Sequence, residues 1–121
     1  MRNYQTLDAW KASMQLVNSI YILTKSYPKD EQYGLISQTK RAVVSIPSNI
    51  AEGMGRQYKK DTIQFLHIAR GSLYEVETLL NIAVMVNILP EEALTKLIPA
   101  IDGAFKLLNG LIRYTEKADL K

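Results

Sequence analysis

The stretch Ser45-Ile46-Pro47-Ser48-Asn49-Ile50-Ala51-Glu52-Gly53-Met54-Gly55-Arg56 decides how this chain folds. It lies where one amphipathic helical pattern ends and another begins. Within it stand a proline inside helical periodicity, a polar cluster, two glycines and an arginine. Proline removes an amide donor and crowds the carbonyl four residues back, so a kink or irregular turn is expected at Pro47. Gly53 is suited to cap the helix in the left-handed conformation, leaving Gly55 to turn the chain. Ser45, Ser48 and Asn49 can supply hydrogen bonds to backbone that the proline disturbs. Glu52 and Arg56, one helical turn apart, can clamp the corner as an ion pair.

Upstream, the pattern that ends in this stretch begins near Glu31. Leu35, Ala42, Val43, Ile46 and Ile50 share its apolar face, while Gln38, Arg41, Ser45, Ser48 and Glu52 form a separate polar stripe. A first segment precedes it, with Trp10, Met14, Val17 and Tyr21 at helical spacing, and Tyr27-Pro28-Lys29-Asp30 breaks the chain between the two. Downstream, Asp61 and Gln64 have the spacing of a capping box and open the longest segment, ~42 Å if fully helical. Pro90-Glu91-Glu92 starts the last segment, because proline needs no partner for its missing amide and the carboxylates favour the helix dipole. Leu94, Leu97, Ile98, Ile101, Phe105, Leu108 and Ile112 then give the cleanest apolar stripe, with a second kink or irregular turn expected at Pro99.

Helices are therefore expected over about 6–26, 31–52, 61–89 and 90–116, with almost no strand signal. Short connections between them predict an all-α, up-down-up-down antiparallel four-helix bundle. Its single domain spans residues 1–121, a length that buries roughly two-thirds of the unfolded surface. The first segment is apolar on more sides than one core can cover, which predicts a further partner for it. Gly71, in mid-helix, costs about 1 kcal/mol against alanine, so close backbone approach is expected there, within the bundle or beyond it.

Composition removes several functions. The chain has no cysteine and one histidine, His67, which leaves no disulfide, no thiolate or zinc site and no histidine-based triad. Hydrophobic residues make up 47% and charged residues 22%, an ordinary globular balance. Met1 to Thr6 has no apolar run resembling a leader, and the apolar stretches are too short to span a bilayer, so a cytoplasmic protein without membrane contact is expected. A ribonuclease motif with arginine four to six residues before His67 is absent, since Asp61, Thr62 and Ile63 occupy those positions. Glu75 and Glu77 fall on different helix faces and cannot act as a carboxylate pair. The expectation is a protein that is not an enzyme and needs no cofactor or metal.

Net charge is +3, and its distribution matters more than its size. Up-down topology gathers Arg2, Lys11, Arg56, Lys59, Lys60, Arg113, Lys117 and Lys121 at one end, against Asp8, Glu52, Asp61, Glu116 and Asp119. The opposite end is acidic on balance. The basic end reads either as a phosphate-binding surface or as a solvated connection kept soluble by its lysines. Tyr58, between Arg56 and Lys59, adds an aromatic face on which a base can stack.

These residues resemble a known family, the proteins encoded in intervening sequences of bacterial 23S ribosomal RNA genes. The resemblance rests on Leu7 with Trp10, Pro28, Glu31, Tyr33-Gly34-Leu35, Gln38, Arg41, and the signature from Ser45 to Gly53 followed by Gly55-Arg56. A second block runs through Phe65-Leu66, Ile68-Ala69-Arg70-Gly71-Ser72-Leu73, Glu75 and Glu77-Thr78. The fourth segment matches only in pattern. The resemblance implies a four-helix bundle assembled as a ring-shaped homo-oligomer, typically a pentamer. It also implies kinship to the accessory protein of diversity-generating retroelements, which binds nucleic acid and a reverse transcriptase.

Two functions follow from the residues and the resemblance together. The first is a non-catalytic homo-oligomer that binds structured RNA or DNA through Arg56, Lys59 and Lys60, aided by Arg2, Lys11, Arg113 and Lys117. The second is a scaffold that docks a protein partner, such as a reverse transcriptase, without touching nucleic acid. The polar stripe from Gln38 to Glu52 is then suited to pair with Arg70, Glu75 or Thr78 across a subunit boundary.

Overall fold

A computed structural model of the chain describes residues 1–118. Asp119 and Lys121, counted above among the charges of the basic end, lie outside the described residues. Four long helices carry the fold: α1 (Asp8–Thr24), α2 (Ser37–Met54), α3 (Lys59–Met85) and α4 (Glu91–Lys117). Among the described residues there is no strand. A single 3-10 turn, Asn3–Thr6, precedes α1, and Tyr4 packs edge-on against Trp10 at 5.5 Å between ring centres.

Neighbouring helices run antiparallel. Tyr21 near the end of α1 lies beside Lys40 near the start of α2, whose ammonium sits 4.6 Å from the ring centre. Ser45 of α2 bonds Ser72 of α3, and Gly53 meets Phe65. Arg70 reaches Asn109 of α4 at 3.0 Å, and Tyr74 packs on Phe105 at 4.6 Å. α1 and α4 also touch, which closes the bundle. The apolar stripes meet on its axis, where Leu16, Ile20, Val43, Ile46, Ile50, Leu66, Leu73, Leu80, Ile101 and Leu108 are fully buried. Removing such large side chains from water supplies most of the stability, at about 1.5–3 kcal/mol each.

Several boundaries differ from the sequence expectation, each for a local reason. α1 ends at Thr24 because its last amides tighten to the carbonyls three residues back and Pro28 blocks continuation. The second helix begins at Ser37, not near Glu31. A 3-10 turn (Lys29–Glu31) and a widened turn (Gln32–Ile36) come first, and Gly34 leaves the helical conformation at φ −109°, ψ −110°. Glu31 bridges this irregular segment by accepting the Leu35 amide at 3.2 Å.

Pro47 and Pro99, where a kink or irregular turn is expected, both lie inside continuous helix, so neither proline ends its element. Around Pro47 the neighbouring side chains do bond the backbone: Ser48 Oγ donates to the Val44 carbonyl at 2.8 Å and Asn49 Nδ2 to that of Ser45 at 2.8 Å. Gly53 is not a left-handed cap either. It lies inside α2, no glycine has positive φ, and the helix stops at Gly55 with φ −88°. Gly53 is needed for close approach instead, since a Cβ there would come 2.8 Å from Phe65 Cβ.

The capping box proposed for Asp61 and Gln64 does not form, because α3 begins two residues earlier. Extended Tyr58 is its cap residue, and the Tyr58 carbonyl accepts the Asp61 and Thr62 amides. Asp61 is left in the first turn, where its charge suits the dipole. α3 ends at Met85, short of Leu89, because Asn87 adopts φ 64°. Ile88 N–H then bonds the Ala83 carbonyl and Asn87 N–H that of Val84, a Schellman closure built on asparagine.

Candidate functional site

The corner between α2 and α3 carries the three cations expected to lead nucleic-acid contact, and they divide by role. Arg56 forms its expected ion pair with Glu52, at 3.5 Å, and its guanidinium also lies 4.6 Å from the centre of the Phe65 ring. The half-exposed pair contributes little by itself. Stacking on Phe65 fixes the guanidinium close to the corner.

Lys59 is turned inward along the end of the bundle. Its ammonium donates to the main-chain carbonyls of Glu116 at 2.9 Å and Ala118 at 3.2 Å. Those carbonyls belong to the end of α4, which has no amides of its own to satisfy them. Lys59 thus ties the start of α3 to the end of α4, an assignment that spacing along the chain could not reveal.

Lys60 points outward. It is exposed, forms no ion pair among the described residues, and borders an apolar shelf with Tyr58 and Ile63. Arg113 and Lys117, on the last turns of α4, are likewise exposed and unpaired among the described residues. Lys11 is exposed on the first turn of α1. Arg2 lines a groove with Tyr4, Leu7, Ala51, Met54 and Gly55, which brings the chain start against the end of α2. All seven expected cations stand at one end, with Lys60, Arg113, Lys117, Lys11 and Arg2 as its outward members.

The polar stripe of α2 leads to a second feature. Ser45 Oγ and Ser72 Oγ are 2.8 Å apart across the α2–α3 seam, and Asn49 Nδ2 donates to Ser45 Oγ at 2.9 Å. Beside them Gln38 and Arg41 of α2 face Glu75 of α3 across an open cleft. Arg70 takes no part, because its guanidinium is held by Asn109 of α4. Thr78 turns its hydroxyl to the Tyr74 carbonyl of its own helix. The stripe was legible in the sequence, but its meeting with Ser72 and Glu75 required the helix register.

His67 is exposed and borders a shallow depression with Lys60, Ile63, Gln64 and Ile68. Among the described residues no three histidine, aspartate or glutamate side chains gather as a metal-ligand set. Among the described residues no helix is long and apolar enough to cross a membrane.

Fold and site together define an all-α bundle with outward cations at one end and a polar cleft between its second and third helices. The chain belongs to the 23S rRNA-intervening sequence protein family, whose family model matches residues 5–110. A search of the curated proteins finds no match.

Proposed function

We propose that this chain is a non-catalytic, cytoplasmic, homo-oligomeric bundle that binds structured RNA or DNA through its basic end. The observation that carries this reading is the group Lys60, Arg113 and Lys117, exposed and forming no ion pair among the described residues, with Lys60 beside the Tyr58 shelf. Unpaired surface cations release counterions when they meet phosphates, and each adds to affinity. A few cations on one bundle bind weakly. A ring of subunits, the pentamer that the resemblance implies, would present several such groups to one nucleic acid and multiply the effect.

Assembly is supported by apolar surface that the bundle leaves uncovered. On α1 Met14, Tyr21 and Ile22 are exposed, the last 59%, and Met14 borders a groove with exposed Val44 of α2. Gly71 also has open space around it, with nothing within 4 Å of an added Cβ, so no neighbour inside the bundle accounts for it.

Arg56 and Lys59 hold the corner together, so the decisive variant leaves them intact. Lys60→Glu combined with Arg113→Glu and Lys117→Glu should weaken binding of a defined stem-loop RNA at least tenfold. It should also flatten the dependence of affinity on salt, and leave the sedimentation coefficient unchanged. RNA affinity equal to that of the parent chain would refute the reading and favour docking of a protein partner.

A further inference from the structure

The cleft between α2 and α3 lies about 20 Å from the basic corner, counted along α2 at 1.5 Å per residue from Arg41 to Gly55. Its volume is about 580 Å³, within the usual range for small-molecule sites. Most helix–helix seams of a bundle are closed by apolar side chains. This one is lined by Tyr33, Ser37, Gln38, Arg41, Ser45, Ser72 and Glu75, with only Gly34 and Ala42 between them. It opens beside the widened turn at Gly34, where the chain has not yet entered α2.

Three features of the lining point to a ligand. Arg41 and Glu75 share the cleft, yet neither forms an ion pair among the described residues, where Glu52 with Arg56 is the pair that does form. Opposite charges face one cleft without meeting, which leaves room for a molecule that answers both. The floor supplies a donor as well. Asn49 and the Ser45–Ser72 contact occupy the two oxygens, but two hydroxyl hydrogens share one mutual bond. Whichever serine donates, one hydroxyl hydrogen has no acceptor in the described chain. Finally, Tyr33 stands at the rim with 92% of its surface exposed, a planar face that packs on nothing.

We propose that this cleft binds a single ribonucleotide, either free or as an unpaired residue of an RNA strand. The phosphate meets the Arg41 guanidinium and the free serine hydroxyl. The ribose hydroxyls donate to the Glu75 carboxylate, as acidic residues do in nucleotide sites of other folds. The base stacks on Tyr33, with the Gln38 amide available to its edge. An aliphatic amino acid satisfies the two charges but offers no plane to Tyr33. An inorganic anion leaves Glu75 without a partner.

The site goes beyond the proposed nucleic-acid end and does not depend on it. The test uses the full chain, with 5′-AMP, 2′-deoxy-AMP and a short single-stranded oligoribonucleotide as probes in calorimetric or NMR titrations. AMP binding that falls tenfold or more in Arg41→Ala and in Tyr33→Ala supports the site. Glu75→Gln should erase the preference for AMP over 2′-deoxy-AMP while keeping phosphate-dependent binding, a readout that a structural role would not move. These side chains are exposed, and unchanged thermal melting confirms that each variant folds.

Binding of the oligoribonucleotide but not AMP, with the same variant losses, assigns the cleft to a strand nucleotide. Binding of AMP alone assigns it to a free one. Binding of neither probe overturns the proposal, as does binding indifferent to Arg41→Ala. If these variants alter only the sedimentation coefficient, the cleft is a contact between copies and the proposal fails. The Lys60, Arg113 and Lys117 charge reversal should leave AMP binding unchanged, so failure at one site is distinguishable from failure at the other.

Discussion

Gly53 of α2 lies against Phe65 of α3 so closely that an added Cβ would fall 2.8 Å from Phe65 Cβ and 3.2 Å from the Thr62 carbonyl oxygen. Real Cβ atoms do not approach so near, and neither the Phe65 Cβ nor backbone can swing aside. Gly53→Ala should therefore destabilise the bundle by about 1–3 kcal/mol, despite the better helix propensity of alanine. Gly71 is the natural control, because it lies mid-helix in open space. Gly71→Ala should raise the stability of the isolated subunit by about 0.5–1 kcal/mol. Urea unfolding of both variants checks the opposite signs. If Gly71→Ala instead weakens assembly in sedimentation runs, another copy approaches there.

Adjacent lysines at the same corner should behave differently. Lys59 donates to the Glu116 and Ala118 carbonyls, whereas Lys60 is exposed and unpaired among the described residues. Lys59→Met keeps the aliphatic stem but loses both bonds, so the end of α4 should fray at a cost of about 1 kcal/mol. Hydrogen exchange should quicken at the amides of the last α4 turn. Lys60→Met should change stability by less than about 0.5 kcal/mol while weakening RNA binding. Equal effects of the two substitutions on melting would remove the division of roles.

Asn87 is the one non-glycine residue with positive φ among those described, at 64°. Asparagine tolerates this conformation better than most residues, but glycine adopts it without penalty. Asn87→Gly should leave stability equal or slightly higher, whereas Asn87→Ala should cost about 1 kcal/mol. Thermal melts of the pair test whether the Schellman closure sets the end of α3. A loss with glycine as large as that with alanine would show that the asparagine side chain matters more than its backbone.

How much of this was legible in the sequence depended on the range of the interaction. Apolar periodicity located the helices, since residues such as Val43, Ile46 and Ile50 reach the axis by spacing alone. The Glu52–Arg56 pair and the bonds around Pro47 were also legible, because their partners lie one turn apart. Gly53 was misread because its reason is Phe65 on another helix, and a glycine near a helix end looks like a cap. Lys59 was read by charge, while its partners are carbonyls far along the chain, which side-chain identity never reports. The α2 stripe was visible, but its opposition to Ser72 and Glu75 depended on the helix register.

Two buried hydroxyls supply a further test. Tyr27 Oη and Thr39 Oγ1 have no hydrogen-bond partner among the described residues, although Tyr27 is only 5% exposed and Thr39 is fully buried. An orphaned buried hydroxyl costs about 1–3 kcal/mol, so Tyr27→Phe and Thr39→Val should each hold or raise stability. For Tyr27 the effect is also tied to pH. Burial pushes its phenol above the ordinary value of 10.0, because the fold resists a buried phenolate. The unfolded chain then loses this proton before the folded one does. The associated stability is complete below about pH 10 and is lost as pH rises through the folded value. Urea midpoints at neutral pH and near pH 11 should therefore converge less for the parent than for Tyr27→Phe, whose alkaline loss should be smaller. Parallel losses in the two proteins would show that Tyr27 ionises freely and does not limit alkaline stability.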